Sequence, residues 1–331
     1  MKAAVLMDKH SMELKEIEIP NPNEREVLIK VKACGICGTD QHIYHGNPGS
    51  AEVPTPVVLG HELAGEVISV GSDVTSFRQG DRVSVDPNMY CGECRHCQDG
   101  RKHLCENLEA VGMTQDGGMA EYIVVPAQNC YLLPNSLSFG EGAMVEPLGC
   151  VLHGVEQLQI RPGDSVLIIG GGYIGQMMLQ TIGMYGASPI LVSEPDEQKH
   201  AAIKNFGATN VVRPGEEIGQ GGFDIVVECV GLQETMQQAV YSAGKGGRVL
   251  LFGVSSPDAK IEVSPFEIFS KELTIKGSFI NPDTHRKAIS LLAQKKIDVE
   301  PMISHYFKLA EIPEAMSAYQ SLSVTKGIII Y

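Results

Sequence analysis

Apolar and polar positions in the first third of the chain form short runs. Val27-Leu28-Ile29-Lys30-Val31 and Glu66-Val67-Ile68-Ser69-Val70 are each broken off by nearby glycine, proline or asparagine. Such punctuation predicts strands joined by turns, an all-β texture. From about Val151 the rhythm changes. Ser165 to Ile169, Ile190 to Ser193, Ile225 to Cys229 and Arg248 to Phe252 are apolar runs separated by helical or looped segments. Strand and helix in alternation predict a parallel sheet covered on both faces. After Gly277 a helical stretch, Thr284 to Gln294, leads into a mixed segment from Pro301 to Tyr331 that is expected to return to the first domain.

Length and composition narrow the class. A chain of 331 residues is long enough for two domains, and 43% hydrophobic with 20% charged residues describes a globular protein. The formal charge of −14 argues against a nucleic-acid partner, which requires a basic stripe to displace counterions. The N-terminus has a five-residue apolar stretch, Ala3 to Met7, before Asp8. That is too short for a signal-peptide core, and no later run approaches membrane-spanning length, so a cytoplasmic location and no membrane partner are expected. Nine cysteines in such a chain read as metal ligands and free thiols, not as a disulfide framework.

Gly170-Gly171-Gly172-Tyr173-Ile174-Gly175 fits G-x-G-x-x-G, follows the run Val166 to Ile169 and precedes a helix-compatible segment, Gln176 to Ile182. In that context the glycines allow a tight turn and close approach of backbone to a pyrophosphate, which sits on the positive end of the helix. Gly170, Gly172, Tyr173, Ile174 and Gly175 are therefore candidate cofactor-binding residues. Glu194, 19 residues past Gly175, closes the next strand where an acid hydrogen-bonds a ribose 2′-hydroxyl. A carboxylate there repels a 2′-phosphate and no arginine follows closely, so NAD is expected over NADP; Lys199 is included in the same nucleotide set.

Cys91, Cys94, Cys97 and Cys105 are spaced C-x2-C-x2-C-x7-C. Four thiolates at this spacing can surround one tetrahedral Zn²⁺, a closed shell with no position for substrate. The lobe from Tyr90 to Asn107 has almost nothing apolar to bury, so metal affinity would become its folding energy. A second constellation lies elsewhere: Cys34-Gly35-Ile36-Cys37-Gly38-Thr39-Asp40-Gln41-His42 and Leu59-Gly60-His61-Glu62 combine thiols, imidazoles and carboxylates around glycines.

With Gly80-Asp81-Arg82-Val83 and Glu146-Pro147-Leu148, these motifs stand in the order found in the zinc-containing medium-chain alcohol and polyol dehydrogenases, which the sequence resembles over essentially its whole length. The resemblance implies an α/β protein: a Rossmann dinucleotide-binding domain at 154–282, and a GroES-like β-barrel catalytic domain from 1–153 and 283–331 that carries the structural zinc lobe at 90–107. It implies two Zn²⁺ per chain and NAD. The catalytic zinc would be held by Cys37 and His61 with Glu62 and Glu146 as acidic partners, one direct and another through water, an open position being left for a substrate oxygen. Thr39 and His42 would carry the proton outward, and Asp40 would orient His61. Cys34, Cys150 and His153 are expected to be packing residues, and homodimers or homotetramers are expected.

Glu146-Pro147-Leu148 points to the polyol branch, resembling sorbitol, xylitol and arabinitol dehydrogenases. After Lys276-Gly277-Ser278-Phe279 the chain continues Ile280-Asn281-Pro282, without the arginine and aromatic of sorbitol dehydrogenases. The expected reaction is oxidation of a secondary alcohol, a sugar alcohol foremost, to a ketone. The alternatives are L-threonine 3-dehydrogenase or 2,3-butanediol dehydrogenase activity and, more remotely, a non-catalytic nucleotide-binding regulator.

Overall fold

The computed structural model describes residues 1–49, 51–216 and 222–331, apart from the side chain of Gln320. It divides into two compact units, Met1–Gly149 with Asn281–Tyr331, and Cys150–Ile280.

The first unit is built on the 11-residue strand Glu26–Ile36. The strand is twice as long as its apolar run suggests, because Ala33, Cys34 and Gly35 are small, lie buried and continue the pairing. Glu62–Val70 lies antiparallel along one side, Gly35 facing Glu62. The other side is shared: Tyr122–Pro126 pairs with the first part of the strand and Gly327–Ile330 with the last. Residues from Ala3 to Ile329 close one core over this sheet, so the returning C-terminal segment is an integral part of the unit.

The second unit holds one six-stranded sheet: β1 (Val166–Ile169), β2 (Ile190–Ser193), β3 (Asn210–Val212), β4 (Phe223–Glu228), β5 (Ala243–Leu251) and β6 (Thr274–Gly277). All pairs are parallel and the order is β3-β2-β1-β4-β5-β6. That is the doubly wound order in which ligands bind beyond the carboxyl ends of the strands, at the switch point between neighbouring β1 and β4. The continuous apolar run of β1 is buried throughout, as a strand covered on both faces requires. β5 starts earlier than its apolar run, at Ala243, because a register shift opposite Phe223 and Ile225 admits the glycine-rich Gly244-Lys245-Gly246-Gly247.

Candidate active site

Three neighbouring strands bring the catalytic candidates to one end of the first unit. Glu26–Ile36 delivers Cys37, Glu62–Val70 begins at Glu62 just after His61, and Gly327–Ile330 pairs with Ile36 through its first residue. The sulfur of Cys37, a ring nitrogen of His61 and a carboxylate oxygen of Glu62 all lie within 4.8 Å of one another. His61 and Glu62 are buried.

The turn after Ile36 explains the placement of Cys37. It is the N-cap of helix Gly38–Tyr44: its sulfur accepts from the Thr39 N–H, while its own N–H donates to Asp40 Oδ2 at 2.8 Å. This reciprocal arrangement is a capping box with a thiol in place of the usual hydroxyl. The other oxygen of Asp40 lies 3.4 Å from His61 Nδ1, so one buried carboxylate steadies both the cysteine turn and the imidazole. Burial alone would depress the His61 pKa, but Asp40 and Cys37 outweigh it and hold the ring well above the ordinary histidine range. Gly35 makes room for the carboxylate, since a Cβ there would meet Glu62 Oε2 and the Met144 methyl.

A thiol on half-buried Cys37, the buried His61 imidazole and the buried Glu62 carboxylate converge into a donor set suited to zinc. Glu146, in the first turn of helix Val145–Glu156, is also buried but lies outside the 4.8 Å set. Thr39 and His42 are one turn apart on Gly38–Tyr44. Burial first, and His45 second, lower the His42 pKa. Cys34 is wholly buried, in accord with a packing role.

Cys91, Cys94, Cys97 and Cys105 also converge. The Cys91–Cys97, Cys94–Cys105 and Cys91–Cys105 sulfur separations are 4.0, 4.0 and 3.5 Å. A tetrahedron of sulfurs about 2.3 Å from a central zinc has edges of about 3.8 Å, so the spacing fits. Backbone N–H groups of Glu93 and Cys94 draw the Cys91 thiol down to about 6, whereas desolvation and the neighbouring thiols push Cys97 up to about 12, so the cluster shares its protons unevenly. All nine cysteines are free thiols.

In the second unit Gly170 takes φ +98°, and a Cβ on Gly175 would collide with the Gly170 carbonyl; these two glycines set the turn and the close packing of helix on strand. Gly172 is the N-cap of helix Tyr173–Met184, and the space a Cβ would occupy there is open. Tyr173 and Ile174 form the first turn of that helix, with the Tyr173 ring buried. Glu194 follows β2 directly, accepting from Gly171 N at 2.9 Å and Asp196 N at 3.0 Å. Each oxygen retains a lone pair for a ribose hydroxyl. Lys199 Nζ lies 3.9 Å from Glu194 Oε1. The open glycine, the helix N-terminus and the buried acid fit a dinucleotide.

One further charged residue at this site belongs to none of the motifs. Lys326, 4% exposed, forms an ion pair with the Glu62 carboxylate and donates to the Ile36 carbonyl at 3.2 Å. The available signal was a lone lysine just before the apolar strand Gly327-Ile328-Ile329-Ile330.

Residues 23–135 match the alcohol dehydrogenase GroES-like domain and residues 174–294 the zinc-binding dehydrogenase family. Sorbitol dehydrogenase of Bacillus subtilis (strain 168) is 33% identical, covering 96% of this chain and 92% of its own length. L-threonine 3-dehydrogenase of Shewanella baltica (strain OS185) is also 33% identical, covering 92% of each. Among solved structures, a putative zinc-binding dehydrogenase from Sinorhizobium meliloti 1021, bound to NADP, superposes with TM-score 0.95 at 39% identity, covering 100% of this chain and 99% of that one. The chain belongs to the zinc-binding alcohol dehydrogenase family, with a GroES-like and a Rossmann-like domain. It is a zinc-dependent oxidoreductase acting on an alcohol through a nicotinamide dinucleotide.

Proposed function

We propose that the protein oxidises a secondary hydroxyl of a sugar alcohol to a ketone, with NAD as hydride acceptor. The reading rests foremost on Cys37, His61 and Glu62 converging within 4.8 Å. Cys37 and His61 would hold the catalytic zinc with Glu62 and Glu146 as acidic partners, and the four lobe cysteines a structural one. Bound at the first site, zinc supplies Lewis acidity, lowering the pKa of an alcohol hydroxyl. Asp40 keeps the Cys37 turn and His61 in place while chemistry proceeds. The proton leaves along the helix that carries Thr39 and His42. Because burial and His45 keep His42 neutral at pH 7, its imidazole is ready to accept the proton and pass it to water.

Gly170, Gly172, Tyr173, Ile174 and Gly175 would cradle the pyrophosphate, with Glu194 and Lys199 at the ribose. A buried carboxylate at that ribose favours NAD, although the Sinorhizobium meliloti relative carries NADP. We place the enzyme in the cytoplasm, in keeping with nine free thiols; no helix among the described residues is long and apolar enough to cross a membrane. Association into homodimers or homotetramers would use the outer side of β6.

Initial rates of NAD and NADP reduction by the zinc-loaded protein, across sugar alcohols, 2,3-butanediol, L-threonine and primary alcohols, test the reading. Turnover restricted to polyols with NAD is expected. Faster turnover of L-threonine would transfer the assignment to the branch of the Shewanella baltica relative. Absence of turnover with any alcohol, with two zincs and NAD bound, would refute it.

A further inference from the structure

Lys326 is a cation in a place that ordinarily excludes one. Its ammonium lies beside the Glu62 carboxylate and the Ile36 carbonyl, both partners being at the ends of buried strands. Its backbone is fixed as firmly: the carbonyl accepts from Ser304 N at 2.9 Å, and its N–H donates to Ser304 Oγ at 3.2 Å. Lys326 and Glu62 are 4% and 1% exposed. A buried carboxylate without a partner is strongly unfavourable, so the metal-free site depends on this pairing.

The same carboxylate faces Cys37 and His61. A zinc ion held by Cys37, His61 and Glu62 would share the Glu62 carboxylate with Lys326 and would feel the positive charge of that lysine. Each weakens the hold of the other, and the coupling is reciprocal.

We infer that Lys326 is the resident counter-ion of the metal-free site: it keeps Glu62 in position for zinc and, by competing for the same carboxylate, weakens zinc binding there. Lys326 is thus a positioning residue that acts through Glu62. The inference rests on the proposal that Cys37, His61 and Glu62 hold zinc.

The test is zinc removal from the full-length chain by graded chelator competition, with metal counted per chain and Cys37→Ser marking the zinc of the cysteine lobe alone. Lys326→Met should bind the first-site zinc on the order of tenfold more tightly. Its chelated form should melt below chelated wild type, while its loaded form melts close to loaded wild type. Lys326→Arg should behave as wild type in both respects. Unchanged or weaker zinc binding in Lys326→Met, or equal loss of melting temperature with and without zinc, would make the lysine a purely structural cation and overturn the inference. Should Lys326→Met fail to fold, the double variant Glu62→Gln with Lys326→Met removes the stranded charge and should fold; its failure would equally overturn the inference. A wild-type chain that takes up only the lobe zinc would sink the functional proposal instead, so the two failures are distinguishable.

Discussion

At the scale of single residues, the site is shaped as much by what is missing as by what is present. Gly35 has an ordinary strand conformation, so its lack of a side chain matters only for space, and the space is filled by the Glu62 carboxylate and the Met144 methyl. Gly35→Ala should push Glu62 off its present position, because a strand buried on both faces cannot retreat from the added methyl. Misplacement on this scale costs about a hundredfold in turnover, with the lobe zinc and NAD binding retained. Steady-state kinetics and zinc counts check this; wild-type turnover would mean that Glu62 has no fixed position. Cys37, His61 and Glu62, which the fold brings together, are distinctive in the sequence by their residue types and glycine neighbours. Lys326 was not legible for a physical reason: a lone lysine beside an apolar run ordinarily marks a solvated strand end, and only the pairing of Gly327 with Ile36 brings it against Glu62.

At the scale of elements, the segment that returns from the second unit is secured by a buried polar network. Asn281 and His285 are almost wholly buried with Asp86 and Asn88. Asn88 Nδ2 donates to Asn281 Oδ1 at 2.6 Å and to Asp86 Oδ1 at 3.1 Å. His285 Nε2 lies 3.2 Å from the Val85 carbonyl and Nδ1 3.3 Å from Asn281 Nδ2, partners that assign the hydrogen to Nε2 and leave Nδ1 to accept. The ring is therefore neutral, and its burial, only partly offset by Asp86 and the Val85 carbonyl, lowers its pKa. Below about pH 6.5 the unfolded chain gains a proton at this histidine that the folded one refuses, so stability present above that pH is lost as pH falls. His285→Gln should flatten the fall below about pH 6.5 by up to about 1.4 kcal/mol per pH unit, read by denaturant unfolding of the zinc-loaded protein. An unchanged slope would show that the histidine charges within the fold. None of this was visible in the apolar pattern, which marked Thr284 to Gln294 as helical but has no means of showing which polar residues of a distant strand await it.

At the scale of the molecule, periodicity located β1, β2, β4 and β5 in the chain, yet their spatial order comes from crossover connections that no local window contains. The same limit hid the open edge. β6 ends the six-stranded sheet, and among the described residues no strand pairs with its outer side. Next to it in sequence, helix Pro265–Lys271 presents Phe266 and Phe269, 69% and 77% exposed, with ring centroids 6.2 Å apart. An unpaired edge with adjoining exposed aromatics is an aggregation hazard unless it is covered, and a two-fold axis lets one such surface cover its own copy. In the proposed homodimer, β6 would pair antiparallel with β6 of a second copy, and the phenylalanines would bury against that copy. Phe269→Glu should then raise the dimer dissociation constant about thirtyfold or more, the range of a central aromatic contact. Light scattering on a dilution series would follow the change, with zinc content unaltered because Phe269 belongs to the unit that contains neither proposed zinc site. A variant that stays as associated as wild type would place the interface elsewhere and leave β6 an open edge in solution.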